Sequence, residues 1–69
     1  MRRSAFNRLV AQALRQGHMN TTQVYNWLNK GGYGGFSMYE LPHALNRSRD
    51  VEQVGFDKRA QVLIWGLKS

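Results

Sequence analysis

The chain has no cysteine and a single proline, and its 69 residues include only four acids, none of them before residue 40. Without thiols the fold cannot lean on disulfides or on a thiolate metal site, which agrees with a reducing, cytoplasmic setting. No apolar run approaches the roughly 18 to 20 residues of a membrane span, and Met1-Arg2-Arg3-Ser4 leads into an amphipathic pattern instead of a signal-peptide block. No membrane partner is therefore expected. The scarcity of acids also argues against an enzyme, because no nucleophile with a base and no free carboxylate pair stands out, and the acids fall in caps and turns. Glu40 and His43 are three residues apart but make only two ligands, and His18 lies in a turn, so neither a metal nor another cofactor is expected. A chain this short has no room for a large catalytic cleft or a small-molecule substrate.

What the chain does have is positive charge, unevenly placed. The net charge is +6, and residues 1 to 39 carry Arg2, Arg3, Arg8, Arg15 and Lys30 with no acid. A phosphate backbone rewards clustered Arg and Lys through counterion release, so the asymmetry favours a polyanionic partner. A basic but merely solvated face is the plainer alternative. A single domain of this size buries only about 60% of its unfolded surface, which calls for tight packing or a homodimer.

Ser4 is placed to cap a first helix in which Phe6, Leu9, Val10, Ala13 and Leu14 follow the i, i+3, i+4, i+7, i+8 rule, with Gly17 ending it. Its other face holds Asn7, Arg8, Gln12 and Arg15. A second helix starts with a capping box, Asn20 as cap and Gln23 reaching back, with Met19 and Val24 in the staple positions. Val24, Trp27 and Leu28 form its buried face, and Gly31 and Gly32 stop it. The run Gly31-Gly32-Tyr33-Gly34-Gly35 is not a phosphate loop, since no Lys-Ser/Thr follows and no strand precedes it; it reads as a flexible turn. A glycine and aromatic RNA contact through Tyr33 is a subordinate alternative.

The spacing predicts a third helix over 36–47, with Ser37 and Glu40 as a second capping box and Phe36 and Leu41 at its staple. Met38, Leu41, Pro42 and Leu45 fall on one side, and Glu40, His43, Ala44 and Arg47 on the other. Pro42 sits past the tolerated first turn of that helix, so it either bends it or marks a restart near Leu41. After polar residues 46–50 the pattern turns extended: 51–56 and 60–67 are rich in β-branched and aromatic residues, joined by Asp57-Lys58-Arg59 as a hairpin with a basic tip. A rival reading of 49–67 as one helix meets Gly55, Gly66 and the β-branched run. One face of the last strand is expected on the helices, and the other is a candidate dimer surface.

Three helices followed by a hairpin, closing on Ala44-Leu45-Asn46-Arg47, then Asp50-Val51-Glu52-Gln53-Val54-Gly55, a basic turn and Val62-Leu63-Ile64-Trp65-Gly66-Leu67-Lys68, resembles the winged helix-turn-helix family. The likeness is to short single-domain regulators of phage, archaeal or bacterial operon type. It implies an α+β fold with a three-helix core and a C-terminal β-hairpin wing, in one domain over 1–69 with residues 1–3 as a flexible basic arm. It also implies a DNA-binding transcriptional regulator, nucleoid-associated, whose partner is double-stranded DNA. In such proteins the third helix enters the major groove and the wing grips flanking backbone. Carried onto this chain, the base-reading positions are Tyr39, Glu40, His43 and Arg47, and the wing contacts are Lys58 and Arg59. Arg47 suits a guanine edge and Glu40 a cytosine N4. Ser37 with its first-turn amides would meet a phosphate, and Arg2 and Arg3 would clamp the backbone. The competing reading is a winged-helix protein-protein interaction module, a small inhibitor of a host transcription or nucleic-acid enzyme. It draws on Glu40 in the reading face and on the two-faced final strand.

Overall fold

The apolar stripe of the first helix explains where the core begins. In the computed structural model, which describes residues 3–33 and 35–68, α1 spans Arg3–Leu14. Phe6, Val10, Ala13 and Leu14 are buried on one side, and Leu9 packs half-buried beside them. Ser4 lies inside this helix, not at its cap, and Arg3 is its first residue and not part of a loose arm. Arg2 lies outside the described residues. The helix also stops earlier than Gly17: the chain winds down through Arg15 and Gln16, and Gly17, with a φ of 138°, turns it away.

A two-residue strand, β1 (Met19–Asn20), comes next and runs straight into α2 (Thr21–Lys30). Asn20 fills both roles. Its side-chain oxygen accepts the Gln23 amide at 2.8 Å while Gln23 Oε1 accepts the Asn20 amide at 2.8 Å, so the expected capping box is complete. Val24 and Leu28 are buried and Trp27 packs half-buried on the core. The helix ends in a Schellman arrangement: the Gly32 amide donates to Asn29 and the Tyr33 amide to Leu28, at 3.1 and 2.9 Å. This requires the left-handed φ of 77° that Gly32 adopts.

The third helix is shorter than its periodicity predicts. α3 is Leu41–Arg47, and residues 37–40 form a separate turn. The Ser37 and Glu40 box is present, with the Glu40 amide donating to Ser37 Oγ at 3.1 Å and the Ser37 amide to Glu40 Oε1 at 3.4 Å. The Leu41 amide still reaches the Ser37 carbonyl at 3.0 Å. The next residue, Pro42, has no amide to offer Met38, so the ladder breaks there and restarts with Pro42 in the first turn of α3. The Phe36 ring tilts onto Phe6 with centroids 4.8 Å apart, fastening the entry to α3 against α1.

β2 (Val51–Asp57) and β3 (Val62–Leu67) form the expected hairpin, which excludes a single helix over 49–67. Asp57 belongs to β2 rather than to the tip, and the connection runs through Gln61, whose φ is 56°. The sheet order is β1-β3-β2, all antiparallel, with Met19 opposite Trp65 and Val51 opposite Leu67. A bulge between Gln53 and Gly55 shifts the register of the hairpin. The fold is thus α+β, three helices against a three-stranded antiparallel sheet.

Trp65 is the largest fully buried side chain, set among Val10, Val24, Leu41 and Leu45. Fully burying each such aliphatic side chain contributes roughly 1.5 to 3 kcal/mol. The polar end of Trp65 is matched: its indole N–H donates to Thr21 Oγ1 at 2.9 Å, and the Thr21 hydroxyl donates to the Leu63 carbonyl at 3.1 Å. Ser48, buried just after α3, donates to Asn7 Oδ1 at 2.9 Å and so ties the end of α3 to α1.

Candidate functional site

Leu41 and Leu45 are wholly buried, which turns the opposite side of α3 outward. Tyr39, His43 and Arg47 follow one another at four-residue spacing and are all exposed. Tyr39 is the most open of the large hydrophobic side chains, at 83%, and its ring lies 6.2 Å from that of His43. Three side chains of different chemistry thus form one line over α3 and the turn that leads into it: a ring with a hydroxyl, an imidazole and a guanidinium. Ala44, expected on the same side, is instead half-buried against the core.

Ser37 and Glu40 are exposed but occupied with each other. The Glu40 carboxylate is turned back onto the Ser37 amide, and the Ser37 hydroxyl accepts from the Glu40 amide. Those groups close their own turn, and α3 proper begins one residue later. Glu40 therefore serves the geometry of the turn before any external contact.

Lys58 and Arg59 stand exposed at the end of the hairpin. Their placement is governed by Asp57, whose Oδ1 accepts the amides of Arg59 and Ala60 at 3.0 and 3.1 Å. Its other oxygen accepts the Asn20 side-chain amide at 2.9 Å. These bonds hold the Asp57 carboxyl below its ordinary pKa. The Asn20 bond is the largest cause, followed by the Ala60 amide, with the Arg59 amide and the Arg59 charge adding to it. One acid thus fixes two basic neighbours in place and joins the hairpin to the cap of α2.

A third basic feature lies between α1 and the turn from α3 into β2. A groove of about 860 Å³ is lined by Arg8, Gln12 and Arg15 from one side and by Arg47, Arg49 and Asp50 from the other. Arg47 thus belongs both to the exposed line of α3 and to this groove. The helical period shows that Arg8 and Arg15 share the outer face of α1. That Arg47 and Arg49 would face them depends on the packing of α3 against α1, which no local pattern contains. Arg49, Arg8 and Arg15 are accordingly absent from a reading built on helix and hairpin alone. Of the predicted arm, Arg3 starts α1 and Arg2 is outside the described residues.

Among the described residues, no three His, Asp or Glu side chains gather in a way that could hold a metal ion. No helix of the described residues is long and apolar enough to cross a membrane. No family model, curated protein or solved structure matches the chain.

Proposed function

We propose that this protein is a winged helix-turn-helix DNA-binding regulator, non-enzymatic and without a cofactor, acting on double-stranded DNA in the cytoplasm or nucleoid. In this reading α3 lies in the major groove and the β2–β3 hairpin is the wing on the backbone. The observation that carries it is the exposed line made by Tyr39 in the turn before α3 and by His43 and Arg47 on α3, a short helix whose other side, Leu41 and Leu45, is locked in the core. Arg47 is the guanine-reading candidate, His43 and Tyr39 contact neighbouring base edges or sugar, and Lys58 and Arg59 contact phosphate. The element order, with three helices leading into an antiparallel hairpin, supports the assignment of α3 and of the wing.

Selection of bound sequences from a random duplex pool, followed by a mobility shift on the winners, tests the reading. Enrichment of a defined motif is expected; a pool that stays random and unshifted sinks it. A second reading, a protein-interaction module, is favoured by one observation: Val54 and Phe56 leave apolar surface open on the hairpin, Phe56 at 55%. A chain that binds no duplex, but loses a nuclease-resistant protein contact on Phe56→Ser, would support that reading instead.

A further inference from the structure

We infer that the groove between α1 and the α3–β2 turn is a phosphate track, in which Arg8, Arg15, Arg47 and Arg49 grip the sugar-phosphate backbone of the same duplex that α3 reads. It rests on the function proposed above and adds to it a contact surface that shares Arg47 with the reading line and lies apart from the wing.

Four guanidinium-bearing residues from two segments far apart in sequence meet on one groove, with one carboxylate, Asp50, among them. Like charges held together oppose folding, and a polyanion in the groove removes that opposition on binding. Guanidinium is also the side-chain group whose planar fork matches phosphate oxygens two at a time. Arg8 on α1 and Arg15, one residue past its end but still bonded through its amide to the Ala11 carbonyl at 3.0 Å, are seven residues apart and stand on one face about 10 Å apart along the axis, with Gln12 as a neutral donor between them. That is the layout of a track and not of a single-ion pocket. Ala11 at the groove wall leaves room for a ligand.

The walls are held in place before anything binds. Ser48 is buried between Arg47 and Arg49, and its bond to Asn7 joins the segment carrying those two arginines to the residue preceding Arg8. The two halves of the groove therefore share one partly buried hydrogen bond, and binding does not have to bring them together.

Titration of a random-sequence duplex, comparing the unaltered chain with R8Q/R15Q, reads the inference. Both arginines are exposed, so the variant is expected to keep the circular dichroism spectrum of the parent. Losing two phosphate contacts should make the slope of log affinity against log salt shallower by about 1.8, so that between about 50 and 200 mM salt the variant loses about 12-fold less affinity than the parent. A folded R8Q/R15Q with the parent slope overturns the groove while leaving the function proposed for α3 and the wing standing. A parent chain that binds no duplex removes that function, and the groove is then tested with inorganic tripolyphosphate in amide correlation spectra. Shifts concentrated at Arg8, Gln12, Arg15, Arg47 and Arg49 support it. Shifts spread equally over Lys30, Lys58 and Lys68 overturn it.

Discussion

Asn20 and Asp57 meet across the sheet: the Asn20 side-chain amide on β1 donates to Asp57 Oδ2 on β2 at 2.9 Å, and β3 runs between the two strands. Asn20 also caps α2, and Asp57 also holds the amides of Arg59 and Ala60. A helix start and a hairpin tip are therefore parts of one hydrogen-bonded assembly.

An acid-side loss of stability follows from that assembly. The Asp57 carboxyl is held below its ordinary pKa, first by Asn20 and then by the backbone amides. A carboxyl depressed in the folded state contributes stability that is complete above its unfolded pKa and is lost as pH falls through the lower folded value. Urea midpoints measured from about pH 5 downward should fall below about pH 4, and Asp57→Asn should flatten that part of the curve. An unchanged acid limb in Asp57→Asn would exclude Asp57 as its source.

Thr21 and Trp65 give a sharper test of the core. Thr21→Val keeps the shape but removes the hydroxyl that accepts from the buried indole N–H, and it leaves the Leu63 carbonyl without that donor. A loss of about 1 to 3 kcal/mol in urea unfolding is expected, with Thr21→Ser, which keeps the hydroxyl, losing much less. Ser48→Ala should behave in the same direction, by about 1 kcal/mol, through loss of the bond to Asn7.

At the end of α2, Gly32 holds a left-handed backbone with open space where a side chain would go. Gly32→Ala should therefore cost about 1 kcal/mol from backbone strain alone, and Gly32→Asn less, since asparagine tolerates that conformation. Equal thermal midpoints for the two variants would remove the strain from the account.

On DNA, Arg47→Ala should relax base preference at one position by about 1 to 3 kcal/mol. The pair Lys58→Ala and Arg59→Ala should weaken all sequences alike and flatten the salt dependence. If Arg47→Ala changes neither affinity nor preference, α3 is not the reading element.

The parts of this fold that are local are legible in the amino-acid order. The stripe from Phe6 to Leu14, the Asn20 and Gln23 box and the two β-rich runs each carry a local signal, a period, a cap or a residue-type bias, confined to a short stretch of chain. β1 is invisible because two residues, Met19 and Asn20, contain no period, and Asn20 already reads as a cap. α3 shortens because Pro42 overrides an otherwise helical spacing. Ser48 looks like another polar loop residue, and only its burial against Asn7 reveals its part in the structure. The candidate site divides in the same way. The line from Tyr39 to Arg47 follows from helical spacing, whereas the groove that unites Arg8 and Arg15 with Arg47 and Arg49 comes from tertiary packing.

The pairing of Met19 with Trp65 sets an order of events during synthesis. The helices and the β2–β3 hairpin each close over short stretches of chain, but β1 waits for a strand more than forty residues downstream. Until Trp65 has left the ribosome, Thr21 lacks its indole partner and the helices lack the side chain around which they pack. A chain halted before that residue would have three helices of 12, 10 and 7 residues without the side chain that joins them, and helices this short are marginal in water on their own. Completion of the core therefore depends on a contact between residues 46 positions apart.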